Sequence, residues 1–593
     1  QGQSAVAIGF SSGFSNQGQN AVAIGNTSGS NTQKSAAIAI GFQAGQTVQG
    51  QNAIAIGVQA GQGTQSSGAI AIGYQSGFDP QGTNAIAIGI QAGQNTQGQN
   101  TIAIGIQSGQ NNQKSSAISI GYLAGSTNQG TSSIAIGLQA GQSTQGINSV
   151  AIGVQAGNTN QVDNSIAIGY QSGQGTQNSS AIAIGYQAGI SAQGTSSIAI
   201  GTQAGQNQAQ SAVAIGNQAG QTNQSGNSVA IGTAAGRSTQ GSGAIAIGFT
   251  AGQSTQGINS IAIGVQAGNT NQVDNSIAIG YQSGQGTQNS SAIAIGYQAG
   301  ISAQGTSSIA IGNQAGQNQA QTAVAIGNQA GQTNQSSNSI AIGNQAGQTN
   351  QSGNSVAIGT AAGRNTQGSG AIAIGYLAGS TNQGTSSIAI GLQAGQATQG
   401  TFSIAIGAFA ANSGQAAQAI AIGYQAGFQG QLQHTIAIGS NAGINGQKSA
   451  ALAIGYQAGS TNQGTQSIAI GFQAGFSNQG QNAVSIGSYT LGQTSQNTGS
   501  ISIGNEAGTL NQGINAIAIG VNAGKTSQAS GSICIGTSAG STFANSIVLN
   551  AQSATALNSA TANATYAAPI RNPNTSYDNF LNYDTTTKEI VYN

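Results

Sequence analysis

Methionine and tryptophan are absent from the sequence, cysteine and histidine occur once each, and proline occurs three times. With Cys534 alone there is no intrachain disulfide framework, and the redox compartment cannot be read from cysteine usage. With His434 alone, no zinc cluster, Ser-His-Asp triad or Cys-His pair can be built within one chain. Only 3% of the 593 residues are charged, against about 25% in an ordinary globular chain, and the formal net charge is +1. Nucleic-acid binding lacks its electrostatic footprint, and there is no basic run for an anionic membrane surface. No stretch of about twenty apolar residues predicts a transmembrane helix. The start at Gln1 and the lack of Met place the numbering inside a longer precursor or after processing.

The acidic set is equally sparse. Asp79, Asp163, Asp274, Glu506, Asp578, Asp584 and Glu589 are scattered singly, so no carboxylate pair for glycoside cleavage is evident in the sequence. The calcium-binding nonapeptide of other β-rolls needs an Asp in every repeat, and these repeats have none. No glycine run is followed by Gly-Lys-Ser/Thr, so there is no phosphate loop. No catalytic, cofactor-binding or metal residue is expected, and the chain reads as a non-enzyme. Asn26, Asn178, Asn289, Asn563 and Asn574 fit the Asn-x-Ser/Thr acceptor pattern, at a frequency expected by chance in such a composition.

What the chain does have is glycine, 97 residues of it, and 37% hydrophobic residues. The hydrophobic ones are not scattered as in a disordered chain. Val6-Ala7-Ile8-Gly9, Val22-Ala23-Ile24-Gly25 and Ile38-Ala39-Ile40-Gly41 open a series that continues to Ile533-Cys534-Ile535-Gly536, about thirty-four copies in all. The spacing is sixteen residues, one fewer between Gly201 and Gly216 and between Gly312 and Gly327, and one more between Gly487 and Gly504. Length alone would suggest about four globular domains; a tandem repeat cancels that count, because each unit packs only on its neighbours.

In the unit Ser133–Asn148, Ser-Ile-Ala-Ile alternates strictly, which puts both Ile side chains on one face and the small residues on the other. Gly137 permits a bend or close backbone approach. Leu138-Gln139-Ala140 reads as a second strand ended by Gly141, and the polar residues with Gly146 read as a return turn. Helix is disfavoured by two or three glycines per unit, at about 1 kcal/mol each. Strands this short must pair with the same strand of the next unit. The fold expected is all-β, a parallel β-solenoid with one rung per repeat, on the order of 160 Å long at about 4.8 Å per rung. Ile over Ile is expected to line the inside, and Gln and Asn amides to bond along the axis. The Ser, Ala and Gly face is either a solvated flat face or an interface between chains; the slight core of so small a coil favours the interface. Residues from about Ser143 to Gln224 recur from about Ser254, with Val162-Asp163-Asn164 matching Val273-Asp274-Asn275. Duplication of rungs as a block suits a spacer better than a catalyst.

Asn227-Ser228-Val229-Ala230-Ile231-Gly232 and Asn354-Ser355-Val356-Ala357-Ile358-Gly359 resemble the head repeat of YadA-like trimeric adhesins. The resemblance covers roughly residues 1–545. It implies a left-handed parallel β-roll with three rolls around a threefold axis. The repeat of that family is nearer fourteen residues, so each rung here carries a longer turn. The stalk, coiled coil and membrane anchor typical of bacterial members are absent from these residues.

From Asn545 the composition changes: Pro569, Pro573, Tyr566, Tyr577, Tyr583 and Tyr592 appear. Phe580–Tyr592 reads as a hairpin and is similar to segments of viral tail-fibre and giant-virus fibre proteins. The Ala-Ile-Gly rungs with Gln-Ala-Gly also look like those virus-encoded repeat proteins. The expected division is a solenoid over 1–544 and a C-terminal β cap or knob over 545–593, with a frayed linker as the bland alternative. His434 is expected in an exposed turn, although a trimer could gather three copies at an axis. Cys534 is expected to be a small buried thiol, with interchain contact as the alternative if its face meets the axis.

The function expected is a structural fibre, extracellular on a virion or cell surface, used for attachment or spacing. Its partners would be itself, as a homotrimer and by lateral or end-to-end assembly, and a host-surface receptor or glycan. A bacterial trimeric adhesin or matrix filament is the alternative. Ice binding is weaker, because Thr is irregular and sits mostly in turns, and a polysaccharide-degrading solenoid enzyme is weaker still.

Overall fold

The computed structural model describes residues 1–489, 495–553, 555–569, 581–587 and 590–592. Pro573, Asn574, Tyr577, Asp578, Phe580 and Glu589 lie outside the described residues. The chain is an all-β parallel solenoid, and no helix occurs among the described residues. It divides into two compact units, Gln1–Asn350 and Gln351–Asn593.

In the first unit, one series of three-residue strands runs from Val6–Ile8 to Ile340–Ile342. Each pairs in parallel with its counterpart one coil on: Ile134 with Val150, Ala135 with Ala151, Ile136 with Ile152. A second series of two or three residues stacks Thr144 on Asn160 and Gln145 on Gln161. The turns also bond from coil to coil: the Gly137 N–H donates to the Ile120 carbonyl at 2.8 Å, and the Gln139 N–H to the Tyr122 carbonyl at 2.8 Å. The turns as well as the strands thus find backbone partners in neighbouring coils, as burial requires.

The second unit repeats this from Val356–Ile358, which pairs with Ile372–Ile374. Parallel pairing continues past the compositional change at residue 545: Ile533–Gly536 pairs with Ile547–Asn550, and that strand with Thr565–Ala568. Leu581–Tyr583 and Ile590–Tyr592 then pair antiparallel, the hairpin expected from the sequence.

Two expectations about the coil are corrected. The first concerns its sides. Ala135, Ala140 and Ala151 are fully buried, whereas Ile134 and Ile136 point outward and are half-buried by the coils above and below. The alanines line the inside and the isoleucines the outside. The reason is width. A Cβ built on Gly141 would lie 3.3 Å from the Ala135 Cβ and 2.8 Å from the Gln145 Oε1, so opposite walls leave no room for a branched side chain. The second concerns the second strand. Leu138-Gln139-Ala140 is a turn, because Gln139 sits at φ +56, and the strand is Thr144–Gln145, inside the expected return turn.

Gln145 is the largest inward side chain of its coil. Its Nε2 donates to the Ile134 carbonyl at 2.7 Å, and its Oε1 accepts from Gln129 Nε2 at 3.2 Å. Equivalent bonds link Gln161, Gln177 and Gln193. The amide ladder expected along the axis is present, and it lies in the core. The short coils keep it: where one residue is missing between Gly205 and Gln208, Gln208 still donates to the Ile198 carbonyl at 3.0 Å, and Ile198 still pairs with Val213. Val484 likewise pairs with Ile501 across the long coil.

Candidate functional site: the outward faces of the coil

Because alanine and glutamine fill the inside, the chemistry offered to a partner is apolar and amide, not ionic. Alternation around each central Ala sends two Ile or Val side chains out per coil. The turning glycine follows, at φ +129 for Gly137, and the residue after it also points out. Leu138 is 43% exposed, Tyr170 44% and Tyr186 48%. In the coils where that residue is large and apolar, three apolar side chains therefore point outward as a stripe. Neighbouring aromatics stack along it, with ring centroids 5.2 Å apart and planes 8° from parallel for Tyr170 and Tyr186, and 5.3 Å and 7° for Tyr281 and Tyr297. A second, half-buried amide ladder runs beside it: Gln155 donates to Gln139 at 2.9 Å and Gln171 to Gln155 at 2.9 Å.

The rare polar and ionisable residues are placed separately. His434 is exposed at φ +60 in a turn. Asp163 and Asp274 tie the turn of the preceding coil, accepting from the Ile147 N–H at 2.7 Å and the Ile258 N–H at 2.8 Å. Glu506 pairs with Lys525. Asp584 accepts from the Thr586 N–H at 2.7 Å and the Thr587 N–H at 3.2 Å, which holds its carboxyl below the usual carboxylate range. Asp79 is exposed at the start of the strand Asp79–Gln81. Asn26, Asn178, Asn289 and Asn563 are exposed. Among the described residues, no three His, Cys, Asp or Glu side chains come together, and no helix is long and apolar enough to cross a membrane. A hollow of about 410 Å³ lies in the second unit, lined by Ile535, Leu549, Ala567 and Pro569 among others.

Cys534 is fully buried on the inward face, in the place Ala518 holds one coil earlier. This corrects the alternative of interchain contact, since the side of the strand that meets solvent carries Ile533 and Ile535. Burial pushes the thiol up to about 12, opposed by a hydrogen bond with Gln528. Native protein at pH 8 is therefore expected to resist a maleimide, with labelling appearing only on denaturation. The folded thiol holds its proton more tightly than the unfolded one, whose ordinary value is 9.0. The contribution of this group to stability is therefore complete below about 9 and falls as pH rises towards 12. Replacing Cys534 by Ala should remove that pH dependence, as read by denaturant melts between pH 8 and 11.

Rungs of this geometry have a counterpart among known proteins. Residues 448–474 match the YadA head domain repeat, in two copies. These are YadA-like repeats in a β-solenoid, a repeat type of surface fibres. The match spans Leu452–Ile454 and Ile468–Ile470, whose rungs pair residue for residue, Ala453 on Ala469. No curated protein matches the chain. The feature missed in the sequence is the outward apolar stripe. Its signal was available, as a large apolar residue following the turning glycine in most repeats.

Proposed function

We propose that the chain is a non-catalytic, homotrimeric fibre on a virion surface, serving attachment or spacing. The observation that carries the trimer is the outward Ile pair, repeated on every coil with no charge within the strand. A monomeric soluble protein rarely exposes contiguous apolar area beyond a few hundred Å², and a coil with an alanine interior gains little stability by itself. Packing three copies through the Ile faces covers that area. The YadA head repeats over residues 448–474 support the same assembly, since such repeats occur in trimeric adhesins. The likeness of the Phe580–Tyr592 segment to viral fibre tails supports the virion, and the C-terminal residues would close the open end of the stack. The YadA match itself favours the second reading, a bacterial surface adhesin or matrix filament.

Sedimentation of the full chain should give about three times its 57.6 kDa mass. The mass should persist at 1 M salt, because with 3% charged residues no ion-pair network is available to screen. Replacing the outward Ile166, Ile168, Ile182 and Ile184 by Thr should weaken association at least tenfold while leaving the β spectrum unchanged. A wild-type monomer would overturn the trimer. Electron microscopy of native filaments decides the carrier: filaments rooted on a capsid support the virion, and filaments rooted in a cell envelope support the adhesin. A glycan array tests for a carbohydrate receptor.

A further inference from the structure

The outward Ile pair is continuous through the first unit, but the position after the turning glycine is not. It is apolar from Phe42 to Tyr186 and again from Phe249 to Tyr297. Each tract is followed by three polar rungs, Thr202, Asn217 and Thr233 in the first case, Asn313, Asn328 and Asn344 in the second. Ten apolar rungs, three polar, four apolar and three polar thus follow one another from Phe42 to Asn344, each polar band about 14 Å long at ~4.8 Å per rung. The polar rungs are built like the others. Ile198 pairs with Val213 and Val213 with Val229, so the fold does not require the change of residue.

We propose that these bands set the axial register at which copies of this chain pack side by side. The inference rests on the trimer reading and identifies what aligns it. A stripe of identical rungs would bind a second copy equally well at every displacement of one rung, because each coil offers the same Ile pair. The bands break that degeneracy. In register, apolar tracts meet apolar tracts and polar bands meet polar bands. Displaced by three rungs, most facing positions set Asn or Thr against Tyr, Phe, Leu or Val, and the amide or hydroxyl loses water without gaining a partner. A displacement of seven rungs matches the two polar bands to each other but sets Ile90, Ile106 and Tyr122 against Thr202, Asn217 and Thr233 and sacrifices seven rungs of contact. This is the use coiled coils make of a single buried Asn.

The occupant is a second copy on two grounds. Only another copy repeats the same band pattern at the same rung spacing. The exposed apolar area is also sufficient: at 37% to 52% exposure, from Val154 to Phe249, eight such side chains leave open roughly 60–100 Å² each. That approaches the ~800 Å² per partner of a stable interface before the Ile pairs are counted.

The test uses the full chain with Ser191→Cys, an exposed turn residue, carrying a nitroxide in a Cys534→Ala background. Double electron–electron resonance between copies should give one narrow distance. Changing Thr202, Asn217, Thr233, Asn313, Asn328 and Asn344 to Val, the residue Val154 supplies at this position, should keep the trimer mass and broaden the signal into several distances, about 5 Å apart in axial offset. A second variant, Tyr74→Asn, Ile90→Asn and Ile106→Thr, moves a band into an apolar tract. It should form its own oligomers yet be excluded from wild-type ones on co-refolding, at least tenfold against random mixing. One sharp distance in both proteins, or free mixing of the relocated variant, overturns the register proposal while a trimeric mass leaves the fibre reading standing. A monomeric wild type removes both at the first step.

Discussion

Replacing Gly137 by Ala is expected to unravel its own coil and the coils on either side. Gly137 sits at φ +129, a backbone region that L side chains rarely adopt, and a Cβ there would lie 2.5 Å from the Gly153 carbonyl oxygen. That oxygen belongs to the next coil's backbone and cannot turn aside as a flexible side chain would. Backbone strain and overpacking together should cost on the order of 3–5 kcal/mol. In a stack where each coil touches only its neighbours, the damage should remain local. Hydrogen exchange should show loss of protection over about residues 120–155 and unchanged protection over residues 6–60. Gly226→Ala is the control. Its Cβ would meet only the Gln210 carbonyl, at 3.4 Å, so its effect should stay within about 0.5 kcal/mol. Equal loss of protection from both substitutions would show that the glycines do not act through close coil-to-coil approach.

The second large effect is expected at the buried amide. In Gln145→Leu the Ile134 carbonyl loses a 2.7 Å donor and Gln129 Nε2 loses a 3.2 Å acceptor, beside the fully buried Ala135 and Ala140. Gln129 keeps its bond to the Ile118 carbonyl at 2.7 Å, so the loss falls mainly on Gln145's own coil. Leaving such groups unpaired costs about 1–3 kcal/mol, and the branched Leu adds strain against Gly141, for roughly 2–4 kcal/mol in all. Gln139→Ala removes an amide of the outer ladder instead. That ladder is half-exposed, and the turn position already accepts Leu123 and Ala234 at φ +55 and +54, so the cost should be below about 1 kcal/mol. Urea melts of the two variants should separate clearly; equal midpoints would mean the inner ladder is not what holds the coil.

Sequence patterns and physical structure divide the explanation of this protein cleanly. The sixteen-residue spacing of Ile-Ala-Ile-Gly, with strands too short to pair within a unit, required pairing from coil to coil, and Ile134 on Val150 is that pairing. The recurrence of Gln at one position required an amide ladder, and the glycine after each Ile-Ala-Ile marked a place where backbones approach. The Phe580–Tyr592 segment announced a hairpin, and Leu581–Tyr583 pairs with Ile590–Tyr592.

Alternation could not say which side of the strand is inside, because a period of two defines two faces without ranking them. Hydrophobicity alone would turn Ile inward. The closed coil reverses this, because its walls stand a single alanine apart at Ala135 and Gly141, and only the tertiary structure contains that width. The same width decided that Gln145 would be a core residue, since an extended amide fits where a branched side chain does not and can return its hydrogen bonds to the backbone. It also decided that the apolar surface of this chain faces outward, towards whatever packs against it.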